Sequence, residues 1–250
     1  AAAYALVAYQ TAYMKANYPV EFLAASMTLD MGNTDKLNIF RQELDRLGID
    51  LLQPDLNSSF AAFAVERATD GEGTATGAIR YALSAIKNVG AAAMETLAAE
   101  RQENGPFKNL SDFINRLDPS HINKRQMENL VRAGALDCFG TNRRQLFENM
   151  EMLLRHANAA QQARTDDQMG LFGGEAAPAQ AFNLSNIADW PAMDRLREEF
   201  NAIGFYLSAH PLDAYETTLR RLHAKPVAEV LSEAKEGLVM MGGAVIGKKE

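Results

Sequence analysis

The chain has 250 residues, 47% of them hydrophobic, and a net charge of −7, so it can bury the core of one large or two small domains. It contains no apolar run of about 18 to 20 residues and no signal-peptide pattern, so we expect a cytoplasmic protein with no membrane contact. A single cysteine excludes an internal disulfide, and it and the four scattered histidines have no metal-ligand spacing, so we expect no structural zinc. Because the overall charge is negative, any DNA contact must be local.

The first third of the chain is predicted to be helical. An alanine-rich helix runs to Asn17, and Pro19 fits the first turn of a second helix over 20–29. Asn33 and Thr34 are capping candidates for a third helix, which Gly48 ends. The apolar stripe of that third helix consists of Leu37, Phe40, Leu44 and Leu47.

Residues 49–83 have a different texture, with short apolar runs around a Gly- and Thr-rich cluster at 71–77. The segments 60–65 and 78–83 flank this cluster, as the two arms of a small sheet would. We therefore predict a β-hairpin here.

Helical periodicity returns after residue 90, and further short helices follow in the second half of the chain. They are predicted at 91–101, 111–117, 124–133, 143 to about 160, 191–204 and 212–222. Residues 161–189 lose all periodicity and are predicted to be a surface linker. A strand is predicted over 238–246. The chain starts as an uncapped helix and stops inside this apparent strand, so we expect it to be a piece of a longer protein.

The pentapeptide Ile86-Lys87-Asn88-Val89-Gly90 precedes a helix and is typical of the hairpin in a helix-hairpin-helix unit. Such a hairpin aims backbone N–H groups at a phosphate and needs residues that tolerate left-handed backbone geometry. Asn88 and Gly90 meet this need, and Lys87 adds positive charge. The alternative interpretation is an ordinary turn between two helices.

A second hairpin is predicted between the helix at 124–133 and the helix that starts near Asn142, with Gly134 in the turn. Residues 121–145 hold five basic and two acidic side chains, a local charge of +3 that suits contact with a DNA backbone. The basic members are Lys124, Arg125, Arg132, Arg143 and Arg144. The alternative is a basic helix face that is simply solvated.

The sequence Gln168-Met169-Gly170-Leu171-Phe172 places two bulky apolar residues in an otherwise polar stretch. A short segment of this kind can dock Leu171 and Phe172 in the groove of a partner while Gln168 forms a hydrogen bond at its rim. The alternative is a linker that folds back and buries the two side chains under a neighbouring helix.

Patterns for catalysis are missing from the chain. Two-metal nucleotidyl transfer needs closely spaced acidic residues on a strand, and no Asp-x-Asp occurs in a strand-like run. Neither a nucleophile elbow nor a nucleotide-binding glycine loop is found. We therefore expect no catalytic residues, no metal ligands and no cofactor in this segment.

Taken together, these pieces resemble the alpha subunit of bacterial DNA polymerase III, the C-family replicative polymerase, over the whole chain. The opening 22 residues are similar to its fingers region, and residues 79–90 to its hairpin and first helix-hairpin-helix unit. Residues 130–137 with 142–144 resemble its second unit, and residues 199–212 resemble the stretch that leads into its OB domain.

The resemblance implies that residues 168–172 are the family's internal motif for binding the sliding clamp, the beta subunit. It also implies duplex DNA and the other subunits of the polymerase III holoenzyme as partners. The catalytic aspartates, with their Mg²⁺, belong to a palm domain that is expected before Ala1. Many relatives have glycine where Asn88 stands, so its side chain could crowd the approaching phosphate.

The predicted fold is mainly α: the helical end of the fingers, then a small β-hairpin with a tandem helix-hairpin-helix domain, ending in the first strand of an incomplete OB barrel. The predicted domains are fingers (1–60), hairpin and clamp-binding domain (61–175), linker and helical connector (176–237) and OB start (238–250). The predicted function is to hold duplex DNA and the clamp during processive replication.

Two alternative functions stay open at the level of sequence. A helix-hairpin-helix DNA repair protein, such as a glycosylase, would need a catalytic aspartate after the hairpin, and neither Gly90 nor Gly134 is followed by one in the usual context. A DNA-independent helical adaptor would use Leu171 and Phe172 alone and would not bind DNA in a salt-dependent manner.

Overall fold

The computed structural model describes residues 2–69, 75–169, 182–233 and 237–245. Its first helices are α1 (Ala2–Asn17), α2 (Pro19–Leu29), α3 (Thr34–Leu47), α4 (Ala91–Asn104), α5 (Leu110–Arg116) and α6 (Lys124–Ala133). The later helices are α7 (Arg143–Glu148), α8 (Met150–Met169), α9 (Ala192–Ile203), α10 (Glu216–Arg221) and α11 (Val227–Glu233). The prediction of a mainly α fold is confirmed.

Local capping chemistry defines the early helices as the sequence predicts. Pro19 occupies the first turn of α2, where its missing N–H costs nothing. The Asn33 side chain accepts a hydrogen bond from the backbone N–H of Lys36, and Gly48 ends α3 in the left-handed conformation. These two helices are therefore fixed by signals that lie within a few residues of each end.

Three strands form one small sheet in the order β1-β3-β2, with β1 at Leu51–Leu52, β2 at Ala64–Thr69 and β3 at Ala75–Arg80. Strands β2 and β3 are antiparallel, pairing Ala64 with Arg80 and Thr69 with Ala75. The predicted hairpin is confirmed, but its paired region lies closer to the glycine cluster. Tyr81, directly after β3, is fully buried, and its N–H donates to the Leu52 carbonyl of β1 at 3.0 Å.

The hydrophobic core extends from α2 and α3 through the sheet to the later helices. Fully buried side chains along this path include Met27, Leu44, Tyr81, Phe113, Leu130 and Leu153. Phe113 makes an edge contact with Phe107, with ring centroids 5.2 Å apart, and stacks on Phe139 at 5.6 Å. Helix α1 lies outside this core, and its side chains from residue 4 to residue 17 are exposed.

The predicted helix from Arg143 to about residue 160 is wrong in two respects. Asn149 interrupts it between α7 and α8, and the side-chain amide of Asn149 donates a hydrogen bond of 2.8 Å to the Gln145 carbonyl. Helix α8 then continues to Met169, into the predicted linker. Polar anchors rather than an apolar stripe hold this extension, since Gln161 donates to Asp118 and Arg164 donates to the Leu117 carbonyl.

Residues 182–190 lie along α7 and α8 in an irregular conformation. The side chains of Asn142 and Gln145 donate hydrogen bonds of 2.9 Å each to the carbonyls of Ile187 and Ser185. This part of the predicted linker is therefore docked on the helices before α9 begins. Pro191 caps α9, and Gly204 ends it, close to the predicted bounds.

The predicted strand from residue 238 is not formed over residues 238–245. Among the described residues, one backbone hydrogen bond joins this segment to the rest of the chain, from the Lys225 N–H to the Met240 carbonyl at 3.0 Å. A strand needs a neighbour along its length to satisfy its backbone groups, and one bond does not supply it.

Candidate nucleic-acid interface

The first predicted hairpin, residues 86–90, connects a 3₁₀ turn at Leu83–Ala85 to α4. A single 3₁₀ turn thus replaces the first α-helix that a helix-hairpin-helix unit would have. Asn88 has a φ of 61°, the left-handed geometry that the sequence predicts. The hairpin is anchored by buried Ile86 and Val89, which leaves Lys87, Asn88 and Gly90 exposed.

Helix α6 contacts this hairpin through two polar side chains, Asn129 and Gln126. The Asn129 side chain donates a 2.8 Å hydrogen bond to the Lys87 carbonyl. One turn earlier on α6, the Gln126 amide nitrogen lies 3.4 Å from the position that a Cβ on Gly90 would occupy. The first turns of α4 and α6 therefore lie side by side. Sequence reasoning missed Asn129, since an isolated asparagine within a helix carries no signal of such a contact.

The two helix starts differ in capping. Asn123 and Gln126 form a complete capping box at the start of α6, a pattern that the Asn-x-x-Gln spacing could have revealed. Gly90 precedes α4 and has no side chain with which to cap it. The first N–H groups of α4 therefore have no side-chain acceptor from their cap residue, and they carry the positive end of the helix dipole. This is the arrangement that binds an anion at a helix start.

Positive charge at these helix starts comes from three residues. Arg125 is exposed and forms no ion pair within the described part of the chain. Lys124 is paired with Glu151 at 2.6 Å and with Glu128 at 3.9 Å, and the hydrogen bond that it donates to Glu151 raises the pKa of Lys124. Lys87 is exposed at the hairpin itself. Arg125 is therefore the cation most accessible to a phosphate, since the Lys87 Nζ lies at the end of α9, 3.1 Å from the position that a Cβ on Gly204 would occupy.

The second predicted hairpin does not present its main cation. The Arg143 side chain is only 2% exposed and pairs with Asp137 at 2.7 Å and Glu199 at 3.6 Å. Its guanidinium covers Gly134, whose φ is 87°, so that a Cβ there would lie 2.2 Å from Nη2. The expectation that Arg143 and Gly134 face DNA is therefore corrected: the pair is buried because carboxylates surround the guanidinium.

The remaining basic residues of this region are also partly engaged. The Arg132 guanidinium lies 3.0 Å from Glu198 and 4.7 Å from the centre of the Phe147 ring. Arg144 is half-buried, and its backbone N–H donates to Asp189. The count of +3 over residues 121–145 therefore overstates the positive charge of this region in the fold, because α8 and α9 bring in the carboxylates of Glu151, Glu198 and Glu199.

The predicted clamp-binding residues fall mostly outside the described structure. Gln168 belongs to the backbone of α8, one residue before its end, whereas Leu171 and Phe172 lie outside the described residues. Within the described ranges, no group of three or more His, Cys, Asp or Glu side chains is placed to hold a metal ion. No described helix is long and apolar enough to cross a membrane.

Both the hairpin region and the chain as a whole are similar to known proteins. A family model for the helix-hairpin-helix motif matches residues 48–146, a span that includes residues 86–90 and the second hairpin. DNA polymerase III subunit alpha of Caulobacter vibrioides is 46% identical over 237 residues, which are 95% of this chain. The same subunit of Vibrio cholerae is 35% identical over 250 residues, 99% of this chain.

The chain is homologous to part of the DNA polymerase III alpha subunit. The DNA polymerase III subunit alpha of Borreliella burgdorferi is 36% identical over 97% of this chain. The resemblance seen in the sequence is therefore confirmed. The chain spans only about a fifth of the length of these relatives, 20% in Caulobacter and 21% in Vibrio. What the DNA polymerase III alpha subunit does as a whole is therefore a separate question from what this segment does.

Proposed function

We propose that this chain is the part of a bacterial replicative DNA polymerase that holds duplex DNA by its backbone and tethers the enzyme to the sliding clamp. The observation that carries the DNA-binding part is the exposed left-handed hairpin at 86–90, which delivers an uncapped helix start beside the basic first turn of α6. Nucleotidyl transfer, with its Mg²⁺, would then be supplied by the palm domain of the whole protein.

The geometry of the hairpin supports backbone contact in preference to base reading. The α4 start offers backbone N–H groups and a dipole, both of which bind phosphate without regard to sequence. Asn88 and Lys87 border this helix start, and Arg125, exposed in the first turn of α6, adds a cation that forms no ion pair with the residues that the structure describes. Lys124, Arg132 and Arg144 are proposed as secondary contacts, since Lys124 and Arg132 are ion-paired within the protein and Arg144 is half-buried.

The charge of the chain sets the expected salt dependence. A net charge of −7 opposes the approach of DNA, so binding depends on the few cations at the interface. Each phosphate neutralised contributes a slope of about −0.9 to a plot of log K against log salt concentration. A small number of contacts therefore predicts weak binding that is lost as salt is raised.

The first test is fluorescence anisotropy of a labelled random-sequence duplex titrated with the protein at several NaCl concentrations. Arg125→Ala is expected to weaken binding and to reduce the slope by about 1, as the loss of one phosphate contact does. Lys108→Ala is the matched control. Lys108 is also exposed, but it follows the far end of α4, about 21 Å along the helix from Gly90.

Equal effects of Arg125→Ala and Lys108→Ala on binding would show that the first turn of α6 is not part of the DNA interface. No salt-dependent binding by the unaltered protein would favour the helical adaptor instead, which uses Leu171 and Phe172 without DNA. The two outcomes are distinct, since the unaltered protein binds DNA in the first and does not bind it in the second.

The clamp tether is the second part of the proposal. It is supported by the pattern Gln-x-x-Leu-Phe at 168–172 and by the family's use of such a motif. A tether raises the effective concentration of DNA at the hairpin, so a weak backbone contact can sustain long synthesis without new interactions. Other holoenzyme subunits would be reached through the rest of the polymerase chain.

Calorimetric titration with the sliding clamp of the same bacterium tests the tether. Binding is expected for the unaltered protein and is expected to be lost in the double variant Leu171→Ala, Phe172→Ala, since such anchors dominate interface energies. Met169→Ala is the matched control, because this position of the motif is variable. Equal loss in the control, or no heat with the unaltered protein, would contradict the tether.

A further inference from the structure

Helix α9 contacts both hairpins. Its Ala202 carbonyl accepts a 2.9 Å hydrogen bond from the backbone N–H of Lys87 in the first hairpin. Glu199 lies three residues before Ala202, on the same side of α9, and its carboxylate lies 3.6 Å from Arg143, at the end of the second hairpin. The hairpins thus share one support, although they are far apart in sequence.

Arg143 is held on all sides. Its Nε donates to Asp137 at 2.9 Å and its Nη2 donates to the same carboxylate at 2.7 Å, a two-point contact that fixes the plane of the guanidinium. Its Nη1 donates to the Arg132 carbonyl at 3.1 Å. With its side chain 2% exposed, Arg143 cannot touch a phosphate in this arrangement.

Glu199 is equally buried, at 1% exposure, and each of its two carboxylate oxygens contacts a different part of the chain. One accepts hydrogen bonds of 2.8 Å from the backbone N–H groups of Leu207 and Ser208, which follow α9. The other lies 3.6 Å from Arg143 Nη1. The carboxylate therefore joins the turn after α9 to the second hairpin.

We infer that Arg143 and Glu199 are positioning residues for the DNA-binding hairpin at 86–90. The buried pair fixes α9 against the second hairpin, and the Ala202 carbonyl then fixes Lys87 and the start of α4. This inference rests on the proposed DNA-binding function. It gives Arg143 a different task from the direct phosphate contact that its sequence context suggests.

The two tasks have different signatures in DNA binding. Loss of a direct phosphate contact lowers affinity and reduces the salt slope by about 0.9. Loss of a positioning residue lowers affinity and leaves the slope unchanged, because the number of phosphates contacted stays the same. A residue that matters only for stability changes neither quantity in the folded protein.

Arg143→Lys is the informative variant, because it keeps the positive charge but removes the two-point contact with Asp137. Affinity for duplex DNA is expected to fall about tenfold, within the range by which supporting contacts alter a distant site. Arg46→Lys is the control: Arg46 makes the same two-point contact, with Glu43, on an exposed face of α3. It is expected to bind DNA as the unaltered protein does.

Glu199→Gln is the second variant, since its side-chain oxygen can still accept from Leu207 and Ser208. It is expected to lower affinity as Arg143→Lys does, and the double variant is expected to be no weaker than either single one, because both changes break the same link. Additive losses would show two independent roles and overturn the inference.

Hydrogen–deuterium exchange without DNA keeps the inference separate from the proposed function. The Lys87 amide, bonded to Ala202, is expected to exchange faster in Arg143→Lys, while amides of β2 keep their protection. Unchanged exchange at Lys87, or a salt slope that falls by about 0.9, overturns the positioning role. If exchange responds but the unaltered protein does not bind DNA, the proposed function fails and the link between the hairpins stands.

Discussion

Substitution of Gly134 by alanine tests the packing of the buried guanidinium. Gly134 has a φ of 87°, which costs an alanine about 1 to 2 kcal/mol. The added Cβ would also lie 2.2 Å from Arg143 Nη2 and 2.7 Å from Cζ, so the guanidinium must move. Moving it breaks charge-assisted hydrogen bonds, each worth about 1.5 to 3 kcal/mol.

The expected total loss is about 4 kcal/mol of unfolding free energy, from the backbone term and one to two of these bonds. Gly140→Ala is the matched control, because Gly140 has a φ of 69° and nothing lies within 4 Å of its missing Cβ. It should lose only the backbone term, about 1 to 2 kcal/mol. Urea unfolding followed by circular dichroism measures both. Equal losses in the two variants would refute the placement of Arg143 over Gly134.

Three further predictions concern the hairpin and two titratable groups. Asn88→Gly should preserve or strengthen DNA binding in the anisotropy assay and Asn88→Val should weaken it, because a β-branched residue resists a φ of 61°; the reverse order would contradict the hairpin geometry. Hydrogen bonds from Arg46 and Lys15 lower the pKa of Glu43 to about 2, so their contribution to stability is present above the unfolded pKa, near 4.5, and is lost as pH falls through 2. Carboxyl NMR titration should find that midpoint, and a midpoint near 4.5 would exclude the contact. Cys138 is exposed, but desolvation by its surroundings, with the nearby Asp55 carboxylate, raises the pKa of its thiol to about 11, so its alkylation at pH 8 should be slower than that of free cysteine, and an equal rate would show that the pKa is not raised.

The parts of the fold that the sequence predicts best are those with local signals. Helix α3 has its cap, its apolar stripe and its terminal glycine within sixteen residues, and α6 has bounds identical to the prediction. The left-handed Asn88 was predictable for the same reason, because the need for a tight turn is written in five consecutive residues.

The parts that sequence analysis missed depend on distant partners. Arg143 looked like a DNA ligand because Glu199, which helps to bury it, comes from another helix. Helix α8 extends beyond its predicted end because Gln161 and Arg164 find acceptors before α6, at Asp118 and Leu117. Tertiary contacts of this kind override local pattern, since a count of charges or apolar residues in a window contains no information on them.

The most direct test of the proposed interface is backbone amide NMR of the protein during titration with a short random-sequence duplex. Amides of residues 87–92 and 123–126 are expected to shift first and most, because these helix starts meet the phosphates. Amides around Gly134 should shift little, since Arg143 covers that turn. Shifts centred on the second hairpin, with residues 87–92 unaffected, would contradict the central claim that the hairpin at 86–90 holds the DNA backbone.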